Sequence, residues 1–302
     1  MYRNLRISWI AVLLVCAVAV SSGADRRFEK KFNVSPGGTL TVGTDVGSIH
    51  ILGSSGNEVS VVAEIRGRER DVDGFEVTAD QASGGVEVRG RTKKGNSWFW
   101  NSVDLDVRYT VTVPTEYNLH LNTSGGNIDI KAVKGSVKGE TSGGDIDVHS
   151  VEGGVNLHTS GGTIRADGVK GDLQMETSGG DIKIASVVGS VDVSTSGGNI
   201  RIGDVEGRVR AETSGGNVSL RVKGSNKGIH AETSGGNIEI EVAKNVGATI
   251  DASTSGGEVV CDLPVTVQGK ISDSRVRGSV NGGGNTIYAH TSGGDVRIRA
   301  LE

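Results

Sequence analysis

The sequence predicts an all-β fold: a parallel β-solenoid (β-helix) of 18-residue coils, two short strands per coil, with a degenerate β N-terminal cap. Three observations point there. The tetrapeptide Thr-Ser-Gly-Gly occurs nine times, starting at Thr123, Thr141, Thr159, Thr177, Thr195, Thr213, Thr233, Thr254 and Thr291. The first five intervals are 18 residues, followed by 20, 21 and 37. A fixed short period marks stacked repeats. Apolar residues within each repeat come in pairs spaced by two, and glycine punctuates every unit twice.

In the repeat that begins at Thr123, apolar residues fall five, seven, ten and fourteen positions after the Thr. The fifth-position column reads Ile128, Ile146, Ile164, Ile182, Ile200, Val218, Ile238, Val259 and Val296. The seventh reads Ile130, Val148, Ala166, Ile184, Ile202, Leu220, Ile240, Cys261 and Ile298. A second pair precedes the next Thr, such as Val155 with Leu157 or Leu173 with Met175. Spacing of two is strand periodicity, so one face is buried and the other wet. Gly-Gly makes one corner, and Gly135, Gly153, Gly171, Gly189 and Gly207 make the other. A two-strand unit cannot bury its apolar face alone. Stacking puts residue i over residue i+18, about 4.8 Å away, and the aliphatic columns become one narrow core.

Thr shares side-chain parity with the apolar pair before it, as in Leu119, Leu121 and Thr123. It is therefore expected to point inward, its hydroxyl bonding backbone at the turn. The residue after Gly-Gly is often Asn or Asp (Asn127, Asp145, Asp181, Asn199, Asn217, Asn237, Asp295), which fits stacked turn capping.

Residues 1–24 read as a secretory signal: Arg3 and Arg6, an apolar run over 7–20, then Ser22-Gly23-Ala24 as a small-residue cleavage site. Cleavage near Ala24 would make the mature chain extracytoplasmic (periplasmic, cell-surface or secreted). A retained anchor is the alternative. Residues 25–122 form the degenerate cap, and 123–302 the regular solenoid. Thr44 to Ile51 aligns with Thr123 to Ile130, and Leu40 and Val42 precede Thr44 as Leu119 and Leu121 precede Thr123. Ala82-Ser83-Gly84-Gly85 reads as a weaker copy of the repeat. Val103 to Val113 alternates strictly and Pro114 stops it, so this long strand is assigned to a cap that blocks open-edge pairing. Residues 262–290 read as one blurred coil. The copy at Thr291 reads as an exposed terminal coil, ending in Arg297, Arg299 and Glu302.

No composition signal points to nucleic acid. Net charge is −4, with 32 basic and 36 acidic side chains interspersed. All six histidines fall at outward positions. In one outward column Glu140, His158 and Glu176 should stack on successive coils, but two carboxylates and one imidazole on a flat face lack a closed metal shell. The Gly-Gly-x-Gly-x-Asp calcium pattern is missing its third glycine. Asp129 and Asp147 stack, but Arg165, Lys183 and Arg201 follow them, which reads as a solvated face rather than a glycosidase pair. No nucleophile triad, phosphate loop or HExxH motif occurs. The Thr file points inward, so it cannot serve as an ice-binding face. The expectation is no enzyme, no metal and no cofactor. Trp98, Phe99 and Trp100 are the candidate partner-binding residues, because three adjacent strand side chains cannot all enter one core; a cap plug is the structural alternative. Cys261, the one cysteine outside the leader, is read as a small buried hydrophobe between Ile240 and Ile298.

The stretch Asp106-Val-Arg-Tyr-Thr-Val-Thr-Val-Pro114, then Leu119-x-Leu121-x-Thr-Ser-Gly-Gly-Asn-Ile128, resembles a bacterial family of β-strand-repeat proteins. Its members are catalogued as putative adhesins, or as a domain of unknown function. Ser35-Pro-Gly-Gly-Thr-Leu-Thr-Val42 with Gly47-Ser-Ile49 resembles the family's opening. The resemblance runs from about Phe28 to Ile298. It implies an envelope location and brings no catalytic residues. The functional expectation is a non-enzymatic binding, adhesion or scaffold surface for an envelope component: polysaccharide, lipid or protein. The alternatives are a carbohydrate-active β-helix enzyme and a self-assembling structural stalk.

Overall fold

The computed structural model describes residues 25–82, 84–93, 105–267 and 272–301. They fold as two sheets, of 13 and 14 strands, that face each other across one apolar core. Each regular coil gives one strand to each sheet. Ile146–Glu152, for example, lies in the first and Val155–Thr159 in the second. Neighbouring coils pair in parallel with the 18-residue register that the repeat predicts: Ile128, Ile146, Ile164, Ile182 and Ile200 form one file. Val155, Leu173, Val191 and Val209 form the facing file. Every one of these side chains is buried. Burying an aliphatic side chain of this size is worth about 1.5–3 kcal/mol, so the files supply most of the driving force.

The threonines point inward, and each links two coils. Thr159 Oγ1 donates to the Gly144 carbonyl of the preceding coil at 2.9 Å and accepts the Gly162 N–H at 3.3 Å. Thr141, Thr177, Thr195 and Thr213 repeat the pair of bonds. The glycines follow from that closeness. A Cβ on Gly162 would lie 2.0 Å from the Gly144 carbonyl oxygen. At the opposite corner Gly171 has φ 148°, and its Cβ would lie 2.3 Å from the Gly153 oxygen. The Asn/Asp column completes the corner. Asp145 Oδ1 accepts the Thr163 N–H at 2.8 Å, and Asn199 Oδ1 the Asn217 N–H at 3.0 Å.

Spatial order departs from chain order at both ends. The first coil, Thr39–Thr44 with Ser48–Ser54, stacks directly on the coil of Asn118–Thr123 and Ile128–Lys134, with Thr44 opposite Thr123 and Ile49 opposite Ile128. The alignment of Thr44 with Thr123 is therefore a physical register. The residues between them build the closure. In the first sheet, Leu105–Pro114 pairs with Ser48–Ser54, then Glu58–Gly67 and Asp25–Asn33 add antiparallel. In the second, Gly85–Thr92 pairs with Thr39–Thr44 and Phe75–Ala82 folds back against it. Ala82 to Gly85 is thus the turn of an antiparallel hairpin and not a coil corner, which corrects the sequence reading. Gly-Gly serves both geometries. A short helix, Glu69–Asp73, crosses between the sheets. Tyr109 is fully buried there, with its hydroxyl 3.0 Å from Thr44 Oγ1.

At the other end the last coil is inserted, not terminal. Thr286–Thr291 lies between Ile229–Thr233 and Ala248–Thr254. Val296–Ala300 lies between Ile238–Val242 and Val259–Cys261. The threonine bonds record the same order, Thr291 to Gly236 and Thr254 to Gly294. The expected exposed terminal coil is therefore overturned, because complementary charge pulls it inward: Arg299 meets Glu239 at 2.8 Å and Glu241 at 2.6 Å. The blurred coil expected over 262–290 is instead an antiparallel closure, Val265–Val267 on Arg275–Val280 on Ala248–Thr254. Cys261 consequently pairs with Ile298 at the end of its file and is half-buried, not enclosed between Ile240 and Ile298. Partial burial pushes its thiol pKa up.

Replacing Thr177 by Val keeps shape but orphans the buried Gly162 carbonyl and the part-buried Gly180 N–H. It should cost about 1–3 kcal/mol in urea unfolding, with Thr177→Ser losing less. Gly180→Ala, whose Cβ would sit 1.9 Å from the Gly162 oxygen, should cost more than Thr177→Val. Equal midpoints for wild type and Thr177→Val would contradict the linking role.

Candidate functional site

Two outward faces carry the polar chemistry. On the 13-stranded sheet a shallow trough of about 750 Å³ runs along the solenoid axis. Arg165, Lys183 and Arg201 stack in register along one wall. Ala185 and Gly203 carry little or no side chain in the next outward column, and Asp167 and Asp204 also line the trough. The lining spans seven coil levels, from His149 to Arg299, which at the strand spacing is about 29 Å. The wall cations are steadied from the corner side. Arg165 meets Asp145 at 3.1 Å and Asp147 at 3.4 Å, and Asp181 serves both Lys183 and Arg201, at 3.3 and 3.9 Å. Hydrogen bonding from the Asn199 backbone N–H, with help from Lys183, holds the Asp181 carboxyl below its ordinary pKa. The turn aspartates are thus capping groups.

On the 14-stranded sheet the Glu140, His158 and Glu176 column forms in the expected register, but the three do not converge. Glu140 pairs with Lys138 at 2.8 Å, and His158 Nδ1 lies 3.7 Å from Glu176. A tighter cluster sits further along the same face. His230 Nε2 is 3.0 Å from Glu212 Oε1 and 3.5 Å from Glu232 Oε2. Following one column at a time misses it, because His230 lies two residues before Glu232 on the same strand. Aligning Arg210 with His230 and Glu212 with Glu232 through Thr213 and Thr233 would have shown the two-column grid, despite the 20-residue interval.

The six histidines all point outward, as the parity argument expects. Burial, ahead of Arg108 and Lys131, lowers the His50 pKa. Trp98, Phe99 and Trp100 lie outside the described residues, as do residues 1–24, for which the sequence reading expects a secretory signal. Among the described residues no helix is long and apolar enough to cross a membrane.

The family model described as Toastrack DUF4097 matches residues 38–299. The chain belongs to the Toastrack DUF4097 family. That agrees with the resemblance read from Asp106–Pro114 and the repeats that follow. A putative adhesin from Parabacteroides distasonis is similar in structure, with a TM-score of 0.51 at 11% identity, over 91% of this chain and 97% of that one. A putative lipid binding protein from the same species reaches a TM-score of 0.44 at 15% identity, over 91% and 97%. A putative adhesin from Bacteroides fragilis reaches 0.39 at 14%, again over 91% and 97%. At these identities the first likeness concerns fold alone. No curated protein matches the chain.

The Arg299 latch at the trough's end gives a pH prediction. Arg221 and then Arg299 hold the Glu241 carboxyl below the usual glutamate value of 4.5. A lowered native pKa contributes stability that is fully present above the unfolded value and is lost as pH falls through the native one. Thermal stability should therefore fall as pH drops below 4.5, and less steeply in Glu241→Gln. That variant should cost about 0.2–1 kcal/mol at neutral pH. Superimposable pH profiles for the two proteins would contradict the latch.

Proposed function

We propose that the chain is a non-enzymatic, extracytoplasmic solenoid whose trough holds an extended acidic polysaccharide of the cell envelope. The observation that carries this reading is the trough's shape and lining. It is open, about 29 Å long at the strand spacing, and repeats donors and acceptors at every coil. That suits a polymer lying along the axis better than a small substrate held in a closed cleft. Six cations (Arg165, Lys183, Arg201, Arg221, Lys223, Arg299) line it beside four carboxylates (Asp167, Asp204, Glu239, Glu241), and Asp145, Asp147 and Asp181 pair with the wall cations from the corner side, so what an acidic polymer would meet is the stacked row of Arg165, Lys183 and Arg201. With little or no side chain, Ala185 and Gly203 leave room for sugar rings.

Several further observations support the reading. The secretory-type leader fits an envelope location. The similar proteins are named as adhesins or as a lipid binder. Charge on the edge strand Asp25–Asn33, with Arg26, Arg27, Glu29, Lys30 and Lys31, opposes head-to-tail stacking into a stalk. Trp98, Phe99 and Trp100 are proposed as a second contact. If so, Trp98→Ala with Trp100→Ala weakens association while the coils stay folded.

Binding of the purified chain to acidic and neutral polysaccharides, measured by titration calorimetry, tests the assignment. The acidic polymers should bind. Lys183→Glu with Arg201→Glu should weaken them by about tenfold or more, with the far-ultraviolet spectrum unchanged. Equal affinity of the double variant, or a preference for neutral polymers, would contradict it. Release of new reducing ends would overturn the non-enzymatic part.

A further inference from the structure

We propose that Glu212, His230 and Glu232 form a binding site for a divalent transition-metal ion, zinc foremost, on the sheet opposite the trough and independent of it. The three residues offer one imidazole nitrogen and two carboxylate oxygens, all within 4.8 Å of one another. Two ligand atoms bound to a tetrahedral zinc at the usual N and O distances lie about 3.4 Å apart. The His230 Nε2 distances of 3.0 and 3.5 Å to the two carboxylates bracket that value. The pair of glutamates is held at coil spacing by the backbone, since Glu212 is the register partner of Glu232.

The imidazole is positioned for the role. Tyr288, its neighbour on the inserted coil, stacks on it with ring centroids 4.7 Å apart and planes 12° from parallel. That contact restrains the ring plane, and in it Nε2 faces the glutamates. Nε2 is itself buried and makes no hydrogen bond of acceptable geometry, although both carboxylates are close. A nitrogen aimed between two anions without a hydrogen bond suits a ligand lone pair shared with an ion. Imidazole with carboxylate oxygen is a donor set for zinc rather than for calcium or magnesium. His290, next to Glu232, is engaged with Ser253 Oγ at 3.0 Å through Nδ1 and is not counted among the ligands.

One group competes. Arg210 also pairs with Glu212 Oε1, so a bound ion must share or displace that guanidinium. The competition gives the proposal a signature that a merely exposed acidic patch would not show: removing a positive charge with Arg210→Gln should tighten metal binding, while losing either a ligand or the imidazole should weaken it.

The test is titration of the metal-free full chain with zinc chloride by calorimetry, repeated with cobalt(II) to read the visible absorption of a low-coordinate imidazole–carboxylate site. A single equivalent should bind. His230→Ala and Glu232→Gln should each weaken it by about tenfold or more and remove the cobalt band. All three positions face outward, and a far-ultraviolet spectrum checks that the coils persist. No saturable uptake by wild type, or undiminished binding by His230→Ala, overturns the site. An unchanged or weaker affinity in Arg210→Gln overturns Glu212 as a ligand.

Discussion

The hydrogen bond from each threonine hydroxyl to a glycine carbonyl in the neighbouring coil is the constraint on which the rest of the structure depends. It fixes how closely two corners approach, and that closeness excludes a Cβ at the second glycine of Thr-Ser-Gly-Gly. With the corners locked at strand spacing, the aliphatic files align without choice of register, since a one-residue slip would send Ile146 or Ile164 to solvent. The outward positions are then fixed as well. Arg165, Lys183 and Arg201 form a wall, and Glu212 and Glu232 a pair, because the backbone places them there and not because the side chains attract one another.

A uniform corner carries a cost in specificity. Any coil bearing Thr-Ser-Gly-Gly can dock on any other, so the chain needs something else to choose the order. Charge does this at the carboxyl-terminal end. Glu239 and Glu241 present anions that the strand with Arg299 satisfies, whereas Val259–Cys261 presents no such partner and takes the outer place. Antiparallel strands then close the amino-terminal end of both sheets and the carboxyl-terminal end of the second, while Val259–Cys261 is the last strand of the first. They replace a bare coil at those edges, and the outermost amino-terminal strand, Asp25–Asn33, carries charges that oppose pairing with another copy.

Most of the fold was legible in the residues. Period, parity and the inward threonine follow from the positions of Thr, Gly and the aliphatic pairs, and the first coil was recognisable because Leu40, Val42 and Thr44 carry the same parity as Leu119, Leu121 and Thr123. The illegible parts share one physical cause. Local patterns state that a coil can stack but not on which neighbour, so the insertion of Thr291's coil and the place of Cys261 could not be read. Ala82 to Gly85 misled because glycine permits a hairpin turn as readily as a coil corner. On the surface, the columns could be listed in advance, but the meeting of His230 with Glu212 and Glu232 needs two columns and a ring plane restrained by Tyr288, a residue nearly sixty positions away in a coil whose place was unknown.

Amide hydrogen exchange read residue by residue tests the central constraint most directly. If the threonine bonds lock the corners, the turn amides of Gly144, Gly162, Gly180, Gly198 and Gly216 exchange as slowly as the strand amides of Ile164 and Ile182, and open with them as one unit. Exchange of those glycines at the rate of ordinary surface turns, with the strands still protected, would show that the coils are held by their aliphatic files alone.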